Sequence, residues 1–109
     1  MAKIDLMRGT ITCRLNPGRL VMSKLIDEIT LIDVDFAEFV FASIVRHVDA
    51  DWGVVSLSNK AANNKALISG GRLFSAYRLN ELTIWILTQE DRSSTQIIFP
   101  DEYDVNIGE

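Results

Sequence analysis

The chain is 109 residues long, with 48 % apolar and 24 % charged side chains, six Gly, two Pro and a formal net charge of −4. This composition describes one globular domain, residues 1–109, and excludes a disordered chain, which combines low hydrophobicity with a large net charge. A single Cys13 excludes an intramolecular disulfide and fits a reducing, cytoplasmic setting, while no run reaches the ~18 apolar residues of a membrane span.

Residues 8–15 are rich in β-branched side chains at a spacing near two, and Asn16-Pro17-Gly18 supplies turn chemistry, so a strand is expected to end there. Residues 20–29 place Leu20, Val21, Leu25, Ile26 and Ile29 at helical spacing. A second helix is expected from Asp35, with Glu38 at capping-box distance, stopping near residues 47–50. Its apolar residues, among them Phe36, Phe39, Val40, Phe41, Ile44 and Val48, predict burial on most of its circumference. Residues 57–68 read as a surface helix capped by Ser56 or Ser58 and stopped by Gly70-Gly71.

The last third changes period. Residues 72–79 and 82–87 flank Asn80-Glu81 as a hairpin, a polar loop follows, and residues 95–99 form a third strand closed by Pro100. The expected fold class is α+β. Two or three helices pack on one face of an antiparallel three- to four-stranded sheet, with a C-terminal β-meander and the first strand at its edge. Residues 104–109 read as a flexible tail.

The charge is unevenly spread. Residues 1–24 carry +4, residues 25–51 carry −6, residues 52–100 carry +2 and the remainder −4. The balance argues against direct nucleic-acid binding, which requires a basic face that displaces counterions. The bland reading is a solvated helix face plus a frayed tail, and the sharper one an acidic surface that docks on a basic protein or imitates a phosphate backbone.

Three groups of residues could carry chemistry. His47, the only histidine, lies near Arg46, Asp49 and Asp51, and could act as a general base oriented by Asp51. The bland reading, a histidine satisfying a helix C-terminus, is favoured because no nucleophile sits at a recognisable spacing. One Cys and one His do not make a zinc site, so no metal and no cofactor are expected. In the loop Glu90-Asp91-Arg92-Ser93-Ser94-Thr95, the two acids with the hydroxyls could hold a hard cation. The structural reading is preferred: Asp91 and Ser93 bond the loop's own amides and Arg92 pairs with an acid across the fold. Trp52 beside Gly53 is either an exposed interface anchor or a plug in the helix-to-loop corner. His47, Arg72 and Tyr77 form an alternative polar cluster.

One ordered pattern runs through the second half of the chain. It comprises Arg46-His47, Asp51-Trp52-Gly53, Asn63, Ala66-Leu67, Gly71-Arg72, Ser75, Tyr77, Ile84-Trp85-Ile86, Thr88, Asp91-Arg92-Ser93, Thr95, Pro100 and Tyr103. It resembles a family of short proteins carried by bacterial plasmids, integrative elements and prophages, a family without an assigned biochemical activity. The resemblance covers roughly residues 45–103. This chain departs from it at Ala50, where Gly is usual, and at Val54, Val55, Ser58 and Asn59, where acids are common.

The resemblance implies an accessory protein of a mobile element. Together with small size and net acidity, it leads us to expect a non-enzymatic protein that binds a bacterial partner. The concrete form is an inhibitor of a defence system, of the anti-CRISPR or antirestriction type, docking on a nuclease or effector subunit. The expected binding surface comprises Asp49, Asp51, Trp52, Glu90, Asp91 and Arg92. The alternatives are a small enzyme or nucleotide-binding domain using His47, Asp51, Arg72 and Asp91, and a self-associating regulatory module that works as a homodimer.

Overall fold

The computed structural model describes residues 14–103, and the backbone alone of residues 3–5 and 10–12. The tail expected over 104–109 and the thiol of Cys13 lie outside the described residues. Two short strands, β1 (Lys3–Asp5) and β2 (Thr10–Thr12), pair antiparallel as a separate ribbon. The amides of Arg14 and Leu15 then both donate to the Val48 carbonyl, at 2.7 and 3.2 Å.

At Asn16-Pro17-Gly18 the Gly18 amide donates to Asn16 Oδ1 at 2.9 Å. Gly18 has φ +66°, and a Cβ there would stand 2.4 Å from the carbonyl oxygens of Arg92 and Ser93, so only glycine fits. Strand β3 (Arg19–Met22) follows the turn and pairs with β6 (Ser94–Ile98) in parallel. Two expectations are corrected here. The edge strand of the sheet lies after the turn rather than over residues 8–15, and residues 20–22 are extended rather than helical. The ladder along β6 overrides the helical spacing of Leu20, Val21 and Leu25, because each extended residue gains a partner on an existing strand.

Ser23 starts helix α1 (Lys24–Ile32), its hydroxyl accepting from the Ile26 amide at 3.2 Å. Asp33 then serves two helices at once. Its amide donates to Ile29 O at 2.9 Å, closing α1, and its Oδ1 accepts from the Phe36 amide at 3.0 Å, opening α2 (Val34–Val48). The cap is therefore Asp33, two residues before the expected Asp35. The inward face of α2 carries Phe36, Val40, Ser43, His47 and Val48, while Phe41 stays 62 % exposed. Burial is one-sided, since the sheet offers this helix a single face to cover.

Helix α2 ends in two bonds of the Schellman type: Asp51 N to Arg46 O at 2.9 Å and Ala50 N to His47 O at 3.1 Å. The motif puts Ala50 at φ +64°. Helix α3 (Leu57–Ser69) is capped by Ser56, whose hydroxyl accepts from the Asn59 amide at 3.2 Å, and is stopped at Gly70.

Strands β4 (Leu73–Leu79), β5 (Leu82–Thr88) and β6 form the expected meander, and Asn80 at φ +55° makes the tight turn between the first two. The sheet order is β3-β6-β5-β4, so the four-stranded sheet is mixed and not wholly antiparallel. The fold is α+β, three helices with one sheet. The register places Tyr77 opposite Ile84 and Ile86 opposite Ile97, one apolar face on which Ile26, Phe36 and Val40 pack. A second cluster of Leu15, Val48, Trp52, Ala66 and Leu73 joins the end of α2 to α3 and β4.

The outer edge of β4 is covered. The Asn63 side chain donates to Phe74 O at 2.6 Å and accepts from Phe74 N at 3.1 Å, standing in for a neighbouring strand. Two residues on, Ala76 exchanges backbone bonds with Trp52 O (3.3 Å) and Val54 N (2.8 Å). Edge groups left open would template pairing with another chain.

Candidate functional site

His47 projects from α2 onto β4, β5 and β6 and has no solvent exposure. Its Nδ1 meets the Ser75 hydroxyl, and its Nε2 lies 2.8 Å from Thr88 Oγ1. Thr88 Oγ1 is 2.7 Å from Thr95 Oγ1, which donates to the Pro17 carbonyl at 2.7 Å. Ser75, Thr88 and Thr95 are themselves fully buried.

Proton counting assigns a direction to this chain of hydroxyls. Pro17 O can only accept, so the single proton of Thr95 goes to it. Thr88 must then donate to Thr95, and His47 must donate to Thr88 through Nε2–H. The buried ring is neutral, so Nδ1 carries no proton and accepts from Ser75, and the tautomer is Nε2–H with both nitrogens satisfied. Burial and then the nearby charge of Arg92 lower the His47 pKa to about 4 from the ordinary 6.5, in keeping with the neutral ring.

Around this chain the remaining candidates have local duties. Trp52 meets the His47 ring edge-on at 5.7 Å, donates through Nε1 to Asn64 Oδ1 at 2.9 Å, and is only 4 % exposed. It is the corner plug and not an exposed anchor. Arg46 grips Asp51 bidentately, Nε to Oδ2 at 2.7 Å and a second nitrogen to Oδ1 at 3.1 Å, with its guanidinium 4.9 Å from the Tyr77 ring centre. This hydrogen-bonded pairing holds the Asp51 carboxyl below its ordinary pKa. Tyr77 donates its hydroxyl to Asp51 O at 2.6 Å, and burial pushes its pKa upward. Asp49 faces Arg14 at 3.8 Å on the exposed surface. Arg72 is exposed and reaches Tyr103 Oη at 3.4 Å.

In the β5–β6 loop, Arg92 does not pair with an acid among the described residues, contrary to expectation. Its guanidinium donates to four carbonyls: Gly71 at 2.5 Å, Ala66 at 2.9 Å, Gln89 at 3.2 Å and Glu90 at 3.3 Å. Carbonyls win because the end of α3 places Ala66 O, which keeps a second lone pair beside its bond from Gly70 N, and Gly71 O next to the loop, within reach of the planar guanidinium. Asp91 accepts from the Ser93 amide at 2.9 Å, and its hydrogen bonds with Ser93 lower its pKa. Glu90 is exposed.

The six residues of the expected surface therefore fall into two groups, Asp49–Asp51–Trp52 after α2 and Glu90–Asp91–Arg92 after β5, which share no hydrogen bond or ion pair among the described residues. Nor do His47, Asp51 and Asp91 converge, since each is held by different partners. The sequence assigns no role to Ser75, Thr88 and Asn63, and places Thr95 only in the charged loop. The available signal was hydroxyls placed among aliphatic residues on strands that should face the core. Among the described residues, no group of three or more His, Cys, Asp or Glu is placed to hold a metal ion, and no helix is long and apolar enough to cross a membrane. Comparison of the chain with protein-family models, with curated proteins and with solved structures finds no match.

Proposed function

We propose that this chain is a non-enzymatic accessory protein of a mobile genetic element that acts by binding another protein, concretely as an inhibitor of a bacterial defence system. The genetic setting rests on the sequence resemblance. The non-catalytic part rests on one observation: the only imidazole in the chain has both ring nitrogens engaged inside the protein, out of reach of solvent. A general base needs a reacting proton within hydrogen-bond reach, and His47 offers no open nitrogen for one. Asp51 and Arg92 are likewise engaged with Arg46 and with backbone carbonyls. Among the described residues, Leu31, Ile32 and Val34 are exposed together around Asp33, an apolar feature suited to partner contact.

Stoichiometry tests the reading. The tagged protein is used to recover a nuclease or effector subunit from its host, and the purified pair is titrated in a nuclease assay. Inhibition that saturates at a fixed molar ratio is the expected result. Inhibition far below equimolar ratio, lost in a folded His47→Gln variant, would establish turnover and overturn it.

A further inference from the structure

We propose that the α1–α2 corner, together with the β4–β5 turn, is the docking surface, and that its occupant is a cationic amphipathic helix of a partner protein. The inference rests on the protein-binding reading above and adds the surface and the chemistry of the partner.

Four observations converge on this corner. A cavity of about 430 Å³ lies between the two elements, walled by Ile29, Phe36, Leu79 and Leu82, with Asp33, Asp35 and Glu81 also lining it. On either side of Asp33, Ile32 and Val34 are 85 % and 72 % exposed, and Leu31 is exposed as well. Asp33 joins the helices as their shared cap, so the corner is a rigid one-residue joint that presents these side chains in a set orientation. From Lys24 to Val48 the two helices and their joint carry five acids against Lys24 and Arg46, and Arg46 is paired with Asp51.

Charge then selects the occupant. A second copy in an isologous dimer would set this acidic rim against itself. An anionic membrane or a nucleic acid is repelled in the same way. A helix with aliphatic residues at i, i+3, i+4 and i+7 and flanking Lys or Arg satisfies both features. One or two aliphatic anchors enter the cavity, Ile32 and Val34 cover the helix side, and the basic residues meet Asp35 and Glu81. Exposed acids of this kind govern the rate and selectivity of docking more than its strength.

The test uses three labelled synthetic peptides of about 18 residues: a Leu/Lys amphipathic helix, its Leu/Glu counterpart and a scrambled Leu/Lys control. Binding to the whole protein is read by fluorescence anisotropy, with circular dichroism verifying the fold of each variant. The Leu/Lys helix binds, and the other two bind at least about tenfold more weakly. The surface variant I32S/V34S weakens binding about tenfold or more. The charge variant D35N/E81K weakens it at low salt and flattens the salt dependence between about 50 and 500 mM.

Equal binding of the Leu/Glu helix, or full binding by I32S/V34S, would overturn the proposal. So would a protein dimer in light scattering that I32S/V34S converts to a monomer. A natural partner that still binds I32S/V34S at full strength removes this corner while leaving the protein-binding reading standing. Sub-stoichiometric inhibition in the nuclease titration removes that reading itself.

Discussion

His47 Nε2 stands 2.8 Å from Thr88 Oγ1, and that contact joins helix α2 to the centre of the sheet through a neutral ring. The same hydroxyl chain ends on Pro17 O, so one set of hydrogen bonds ties α2, β4, β5 and β6 to the turn that starts β3.

Acid should loosen this joint. The folded-state pKa of His47, about 4, lies below its ordinary 6.5, so the unfolded chain binds a proton more readily than the folded one. The associated stability is present above about pH 6.5 and is lost as pH falls toward 4, a change on the order of 3 kcal/mol. Urea midpoints at pH 7, 5.5 and 4 measure it, with His47→Gln as the reference for the carboxylates that also titrate. The wild-type slope should exceed that of the variant across this window, and parallel slopes would count against the neutral buried ring.

Thr88→Val removes the middle hydroxyl, leaving His47 Nε2–H without an acceptor. The expected loss is about 1–3 kcal/mol. Thr95→Val leaves Pro17 O without its side-chain donor, at a similar cost. Because the two threonines share one network, the double variant should lose less than the sum, by roughly 0.5 kcal/mol or more. Additive losses in urea unfolding would mean that the hydroxyls act separately.

Ala50→Gly should stabilise the protein. Ala50 occupies the left-handed position of a Schellman cap, where a Cβ costs on the order of 1 kcal/mol and glycine has no such penalty. A rise in melting temperature of about 4 °C is expected.

Asn63→Asp retains the shape and the acceptor for Phe74 N but cannot donate to Phe74 O. A buried carbonyl then faces a carboxylate, and the loss should reach about 2 kcal/mol. Thermal melts give the magnitude, and amide exchange at residues 74 and 76 should quicken as the β4 edge opens.

Arg92→Lys keeps the charge and loses the fork. One ammonium cannot reach the spread carbonyls of residues 66, 71, 89 and 90, so the β5–β6 loop should detach from the end of α3. A destabilisation of about 1.5–3 kcal/mol is expected, since several of these bonds are charge-assisted. An unchanged urea midpoint would show that the clasp contributes nothing.

Much of the fold was legible from residue pattern. Asp and Ser caps, the glycine stop after α3 and the period-two strands of the meander are local signals, and they locate α2, α3 and β4–β6 to within a few residues. Residues 20–22 are ambiguous in the sequence because Leu20, Val21, Leu25 and Ile26 suit a helix as well as a strand. Asp33 was passed over as a cap because Asp35, with Glu38 behind it, carries the same signature. Among the site residues, the local duty of Asp91 could be read from Ser93 two positions on, whereas the duty of Arg92 could not.

Composition and spacing by themselves determined an α+β domain with an acidic middle segment and a solitary histidine. Only the tertiary structure decided that β3 runs parallel to β6, that Trp52 faces inward and that His47 is consumed in a hydroxyl chain. The parallel pairing and the bonds His47–Ser75, His47–Thr88 and Thr95–Pro17 join residues 28 to 78 positions apart, and no local preference encodes which distant strand supplies the partner.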